Sequence, residues 1–369
     1  MKHIDLKFNQ QVHSDFARTL KQRVNDYFAE RKISRSGNYS MVLKTIFVFT
    51  VYLSAYALML SNLFPQPWQQ IMLWAVMGFG IAGIGLTVMH DANHGAYARN
   101  KKINRYLGMA LNFVGGHAEL WKIQHNMLHH AYTNIDGADE DIEGPSFLRF
   151  SPYQERKKIH RWQHLYAWFF YALMTFFWVT GKDFLQLNRF RRTGLITEKK
   201  YRKVVVDLIF WKIFYYAYIL VVPLFLVQAS PWVTISGFLL MHGIGGFILS
   251  IIFQPAHVIP AAEFSKLEPG KRIDEHWMVH QLKTTADFAP RNKIFSWLVG
   301  GLNFQVEHHL FPNVCHVHYH NLAKIVKETT RQFNLPYNSY NTFISALVNH
   351  ARMLRNLGQG KMSAVKVRS

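Results

Sequence analysis

The stretch IMLWAVMGFGIAGIGLTVMHDANHG, residues 71–95, decides how the rest of the chain is read. Ile71–Met89 is uncharged and apolar, long enough to cross a hydrocarbon layer of roughly 30 Å as a helix. It ends directly in His90-Asp-Ala-Asn-His94. Residues four apart share one face of an α-helix, so both imidazoles address the same region at the end of a span. A helix that carries paired metal ligands to a membrane boundary sets the question for every other segment.

Working outward, three further stretches have span character: Thr45–Phe64, Val204–Val227 and Trp232–Phe253. Pro65–Gln70 joins the first pair of spans and Gln228–Pro231 the second, and neither connector is charged. The opposite ends are basic, with Arg31, Lys32, Arg35 and Lys44, then Arg99, Lys101, Lys102 and Arg105, then the run Arg189–Lys203. The positive-inside rule places these ends in the cytosol. Leu165–Thr180 has basic residues on both flanks, so crossing there would export one of them. It reads as an in-plane or re-entrant helix. Lys212 falls inside the third span, where it must snorkel or face protein.

The expectation is an all-α integral membrane fold. Four transmembrane helices form two hairpins, and a cytosolic helical cap carries a His-rich metal site. Domain boundaries are expected at 1–40 for an N-terminal segment, 41–325 for the membrane domain and 326–369 for a C-terminal cytosolic helical tail. The first 40 residues are polar and lack the apolar core of a signal peptide. Within them Phe16, Leu20, Val24 and Phe28 recur every four residues, as on a surface or interfacial amphipathic helix.

Composition agrees. Half of the 369 residues are apolar, and 42 Lys+Arg stand against 22 Asp+Glu. The basic residues flank apolar segments instead of forming a stripe, which argues against nucleic-acid binding. A single cysteine, Cys315, excludes an internal disulfide framework and cysteine-based zinc or iron–sulfur sites.

Two more histidine clusters follow, His125-Asn-Met-Leu-His129-His130 and Gln305-Val-Glu-His308-His309. On an α-helix His125 and His129 share a face, while His130 lies about 100° further round and can reach a second ion. His257 closes the fourth span as His90 closes the second, and is either a further ligand or a hydrogen-bonded structural residue. Imidazole suits iron, zinc, copper and nickel alike. The absence of a Glu-x-x-His pair argues against a soluble carboxylate di-iron bundle. His242 is intramembrane, either functional or bonded to a neighbouring helix. His117, His164, His276, His280, His316, His318 and His320 have no cluster spacing.

HDANHG (90–95), WKIQHNMLHHAYTN (121–134) and NFQVEHHLFP (303–312) together resemble the membrane fatty-acid desaturase superfamily. The resemblance spans roughly Thr45 to Ala323. Gln305, where many relatives have histidine, and Gln281-Leu-Lys-Thr-Thr285 are similar to front-end and bacterial linoleoyl-CoA-desaturase-like members. The resemblance implies a di-iron centre that reduces O2 with external electrons and inserts a cis double bond into a long acyl chain. His90, His94, His125, His129, His130, His257, His308 and His309 would be its ligands. Asp91, Asn93, Asn126, Asp139, Asp141 and Glu307 can accept a ligand ring N–H, and Gln305 acts through a water or hydrogen bond. Asp139 and Asp141 belong to Asp136–Glu143, which reads equally as a solvated acidic loop. Trp121, Gln124, Trp277 and Gln281 would line the acyl path. The substrate would be acyl-CoA or acyl-lipid. Without a His-Pro-Gly-Gly cytochrome motif, electrons are expected from a separate ferredoxin or cytochrome b5, at a bacterial inner membrane with the metals cytosolic. Rival readings are a fatty-acyl hydroxylase on the same scaffold and a His-rich metal transporter. Transporters bind near mid-membrane, whereas six of the eight histidines lie outside every expected span.

Overall fold

The computed structural model describes residues 6–267, 270 and 272–362; the outermost parts of the expected segments 1–40 and 326–369 lie outside these. In chain order the main helices are α1 (Ser14–Glu30), α2 (Tyr39–Leu60), α3 (Pro67–Asn93), α4 (118–132), α5 (Gln163–Ala172), α6 (Asp183–Arg192) and α7 (Glu198–Leu226). They continue as α8 (Pro231–His257), α9 (Trp277–Thr284), α10 (Lys293–Leu298), α11 (Gln305–Leu310), α12 (Tyr319–Gln332) and α13 (Phe343–Gln359). Among the described residues the sheet consists of two parallel two-stranded ladders, β1 (Ile135–Asp136) with β2 (Ser265–Lys266) and β3 (Ala286–Phe288) with β4 (Asn338–Tyr340), besides an isolated bridge between Phe8 and Ile273. The chain divides into two compact units, one of Tyr39–Lys122 and Trp168–Ile251, the other of residues 6–38, Ile123–Ala167 and 252–362.

Among the described residues four helices, α2, α3, α7 and α8, are long and apolar enough to cross a membrane. The shortest has 22 residues, about 33 Å at 1.5 Å per residue, enough for the hydrocarbon core. All four overrun the boundaries that hydropathy suggests, α2 by beginning at Tyr39. α3 continues past Met89 through His90 to Asn93, α7 begins at Glu198, and α8 runs through Pro255 to His257. Backbone hydrogen bonding extends into the polar interface wherever the next residues can be capped. At the start of α7 the Thr197 side chain accepts the Lys200 N–H.

In the first unit Tyr52 of α2, Trp74 and Met77 of α3, Tyr215 of α7 and Met241 of α8 form one buried core. α2 and α3 approach closely because Gly80 has no side chain, since a Cβ there would meet the Tyr52 Cβ at 2.8 Å. The stretch Leu165–Thr180 is interrupted at Leu173, between α5 and a short helix Met174–Phe177. Its Thr175 hydroxyl donates to the His242 carbonyl at 2.7 Å, and Gly246 lets its backbone lie against α8. His242 itself is hydrogen-bonded, Nε2 to the Tyr215 hydroxyl at 2.6 Å and Nδ1 to Thr175 Oγ1 at 3.1 Å.

Lys212 faces protein. Its Nζ donates to Asp183 Oδ2 at 2.7 Å, Gly115 O at 2.7 Å and Trp178 O at 3.2 Å, which satisfies all three ammonium protons. Trp178 Nε1 donates to the other oxygen of Asp183 at 2.9 Å. The pair ties α7 to α6 and to the turn after Phe113.

In the second unit Phe16, Leu20, Val24 and Phe28 of α1 are buried with Leu282 of α9, Val306 of α11 and Leu322 and Val326 of α12. The amphipathic stripe expected at a surface or interface is therefore part of a protein core, because α12 offers a matching apolar face at helical spacing.

Asp183→Asn should strip the countercharge from a buried ammonium and cost about 3–5 kcal/mol. Thermal unfolding of the purified protein in detergent measures this. Asp183→Leu combined with Lys212→Met should recover most of the loss.

Candidate metal centre

The second histidine cluster does not sit on an α-helix. Lys122–His129 is π-helical, closing its hydrogen bonds over five residues. The wider turn brings His125 and His130, five apart, to one place, with their Nε2 atoms 3.2 Å from each other. The expected 100° divergence of His130 from its neighbours is replaced by convergence. Two ring nitrogens so close face a common point.

Two other elements bring histidines there. α8 ends at His257, and α11 presents His308 and His309. Ligand nitrogens of His129, His257 and His309 lie within 4.8 Å of one another, as do those of His130, His308 and His309. His309 belongs to both triplets and is buried between the rings of His257 at 4.7 Å and His130 at 4.3 Å. Each triplet is a set of imidazoles that could hold a metal ion.

Ring orientation is set from behind. His129 Nδ1 donates to Asp139 at 3.0 and 3.1 Å, and His125 Nδ1 to Asp141 at 3.3 Å. His257 Nδ1 donates to Thr284 O at 3.2 Å, and His309 Nδ1 to Gln281 Oε1 at 2.8 Å. His308 Nδ1 lies 3.2 Å from the Tyr319 hydroxyl. Each anchored Nδ1 leaves Nε2 as the metal-facing atom, the arrangement that fixes tautomer and raises ligand basicity. Nε2 of His257 and of His309 are buried with no hydrogen-bond partner among the described residues. Buried polar atoms are seldom left so, and a metal ion would satisfy both. The donor set therefore fits a metal.

Electrostatics sharpen this. Burial pulls the His129 ring down, but Asp139 and then Asp141 outweigh it and hold it up to about 9. His309 is pushed well below its ordinary value by burial, and then by the neighbouring His257, His129 and His308. Without a metal the cluster accommodates a proton at His129 and resists one at His309.

In the first unit His90 and His94 follow a π-helical segment, Ile84–Met89, with ring centroids 4.7 Å apart. Trp121 meets both edge-on at 5.7 and 5.6 Å. Gly95, at φ 74°, turns the chain back so that Ala96 N–H reaches the Asp91 carbonyl at 2.8 Å. The Asp91 carboxylate is 3.5 Å from His90 Nδ1, a long contact. Asn93 donates to Gly108 O at 3.2 Å, and Asn126 is half-buried beside His125 on the π-helix.

Other residues take roles different from those expected. Gln281, expected along the acyl path, is fully buried and holds His309, and Gln124 donates to Asp141. Trp277 Nε1 donates to the His130 carbonyl at 3.1 Å. Gln305 donates to Leu302 O at 2.8 Å within its own turn. Glu307 faces away from the rings, where the Tyr337 hydroxyl lies 3.1 Å from it and donates to Asp287 at 2.6 Å. Burial pushes both carboxyls up, Asp287 to about 6 and Glu307 well above its ordinary range, with the Asp287 charge adding to the latter.

Sequence reasoning missed Thr133 and Asn134. Thr133 Oγ1 lies 2.7 Å from His129 O and 2.9 Å from Gln281 Oε1. Asn134 has φ 57°, a conformation Asn tolerates better than most residues. Its amide is directed at His257 O at 3.0 Å, Glu263 O at 3.2 Å and Thr284 O at 3.4 Å, and its backbone N–H donates to Asp139 at 2.9 Å. An Asn ending the histidine helix was the available signal.

The fatty acid desaturase family matches residues 66–341, three-quarters of the chain. The chain is 38% identical to an sn-1 linoleoyl-lipid 6-desaturase of Synechocystis over 96% of its own length and 98% of the relative's. It is 35% identical to the enzyme of that name in Arthrospira platensis, covering 93% and 92%. Against an acyl-lipid (8-3)-desaturase of Physcomitrium patens it is 34% identical, over 97% of this chain and 74% of the relative. The chain belongs to the fatty acid desaturase family. It is an oxidoreductase that desaturates fatty acyl chains, built on the all-α membrane fold with four spans.

Asn134→Ala should leave buried carbonyls of α8, α9 and the loop between them unsatisfied, costing about 2–4 kcal/mol. The melting temperature of the metal-free protein reads the loss.

Proposed function

We propose that this protein inserts a cis double bond on the carboxyl side of an existing one in the acyl chain of a membrane lipid. The observation that carries the reading is the cluster of imidazoles anchored through Nδ1 and converging through Nε2. His125, His129, His130, His257, His308 and His309 would hold two iron ions, joined, on the sequence argument alone, by His90 and His94. When bound, the irons supply the O2 reduction and oxidising power that no side chain provides. The balance is one –CH2–CH2– unit, O2, two electrons and two protons giving –CH=CH– and two waters. The electrons would come from a separate donor of the ferredoxin or cytochrome b5 kind.

The chain's own contribution is positioning and charge. Asp139 and Asp141 hold their rings and balance the positive charge of two cations. Gln281 and Thr133 hold His309 between both positions. Trp121, beside His90 and His94, would border the acyl chain, and a rigid aromatic wall fixes which methylenes approach. The sn-1 linoleoyl-lipid 6-desaturases support an acyl-lipid substrate and the 6-position. The basic helix ends support a cytosolic metal site at a bacterial inner membrane.

A host supplied with linoleate and expressing the chain should gain a triene with its new bond at position 6, seen by gas chromatography–mass spectrometry of isolated lipids. A hydroxylated chain with no new double bond would overturn the reading. His129→Ala and His308→Ala should each abolish the product and lower iron from about two per chain while membrane insertion persists.

A pH dependence follows from His129. A metal must displace its proton, so apparent affinity should rise as pH goes from about 6.5 to 9. Asp139→Asn removes the main charge holding that proton. The variant should bind about 10–100-fold more weakly at high pH and show a flatter profile. Titration of the metal-free protein with Co(II), followed by absorbance, reads both.

A further inference from the structure

The second unit presents an apolar surface that the desaturation site does not use. α10 exposes Ile294 at 75%, Leu298 at 52% and the edge of Trp297, and α13 exposes Ile344 at 72% and Val348 at 50%. The two helices share one local platform, because Phe295 of α10 and Phe343 of α13 pack ring against ring at 4.9 Å, tilted by 36°, and both rest on Phe288 of β3. Large aliphatic side chains this exposed and this close together are uncommon on a surface meant for water.

The charged residues on these two helices, and Arg291 just before α10, are all basic. Arg291 and Lys293 flank the start of α10, and Arg352 and Arg355 continue the exposed face of α13 beyond Val348. Neither helix carries an acidic residue. Ile344, Val348, Arg352 and Arg355 follow one another at helical spacing, so the outer face of α13 is apolar for two turns and then basic. A second copy of the chain docking here would bring two basic rims together. A bilayer of anionic lipid answers both features, receiving the apolar side chains below its head groups and the guanidinium and ammonium groups at their level.

We propose that α10 and the first turns of α13 form an in-plane membrane anchor, with Ile294, Leu298 and Ile344 inserted at the acyl boundary and the four basic residues on phosphate. This surface gives the second unit a lipid contact of its own, independent of the metal reading.

The test uses the full chain in nanodiscs containing phosphatidylglycerol. Ile294→Cys, Leu298→Cys and Ile344→Cys are each labelled with a small environment-sensitive fluorophore, and Arg18→Cys on the exposed side of α1 serves as comparison. Native Cys315 is buried, and the unsubstituted chain gives its background. Lipid-borne nitroxide should quench the three patch labels about three-fold more than the α1 label, while aqueous iodide should show the reverse order. Replacing Arg291, Lys293, Arg352 and Arg355 with Gln should remove the preference for phosphatidylglycerol over phosphatidylcholine discs. Iodide quenching at the patch equal to that on α1 would overturn the proposal, leaving the surface in water. Protection from both quenchers would overturn it too, by showing a second protein chain on the patch.

Discussion

The geometry of the candidate metal centre depends on the hydrogen bonds behind four of its imidazoles. A neutral histidine can offer either nitrogen, and a cluster with mixed tautomers points its lone pairs at its neighbours. Here a carboxylate, an amide oxygen or a backbone carbonyl takes the Nδ1 proton of His125, His129, His257 and His309. Only then do the Nε2 lone pairs agree on a direction. The second unit is organised around supplying those acceptors. β1 and the loop after it deliver Asp139 and Asp141, α9 delivers Gln281 and Thr284, and Asn134 ties the ends of α8 and α9 to the histidine helix.

The spans and the histidine clusters were legible from sequence for a plain reason. Length, hydropathy and i,i+4 spacing are local quantities, and the bilayer imposes the first two directly. What sequence could not carry was long-range pairing. Gln281 looks like any amide near a tryptophan until α9 places it 2.8 Å from His309, 28 residues away. Glu307 sits beside His308 and His309 in sequence, yet the helix turns its carboxylate to Tyr337 and Asp287. Adjacency in sequence and adjacency in space part company because successive residues on a helix point about 100° apart. The stripe Phe16–Phe28 was visible as a stripe, but its partner on α12 lies some 300 residues downstream in no recognisable register.

Polar groups in the spans follow the same logic of local accounting. In hydrocarbon an unsatisfied donor costs several kcal/mol, so intramembrane Lys212 and His242 persist only with complete sets of partners. Lys212 uses two backbone carbonyls and Asp183, and His242 uses Tyr215 and Thr175. These contacts fix α7 and α8 against the interrupted helix after α5. In doing so they give the first unit a defined packing where apolar side chains alone leave sliding easy. Neither residue needs a catalytic role to explain its presence.

The π-helical segments are the least expected feature and the one with the clearest consequence. An α-helical Lys122–His130 would turn His130 away from His125, and three histidines of one cluster would serve divergent directions. The π turn is less favourable than the α turn and occurs mainly as isolated bulges, so a sequence retains one where its altered spacing is used. Here that spacing brings positions 125 and 130 within 3.2 Å at their tips, while Asp139 and Thr133 hold position 129 in place beside them. Ile84–Met89, directly before His90, repeats the device in the first unit. Both stretches that deliver an early histidine pair therefore depart from α geometry at the point of delivery. The i,i+4 rule picked out the histidine pairs, and a wider turn than that rule assumes is what makes the second cluster converge.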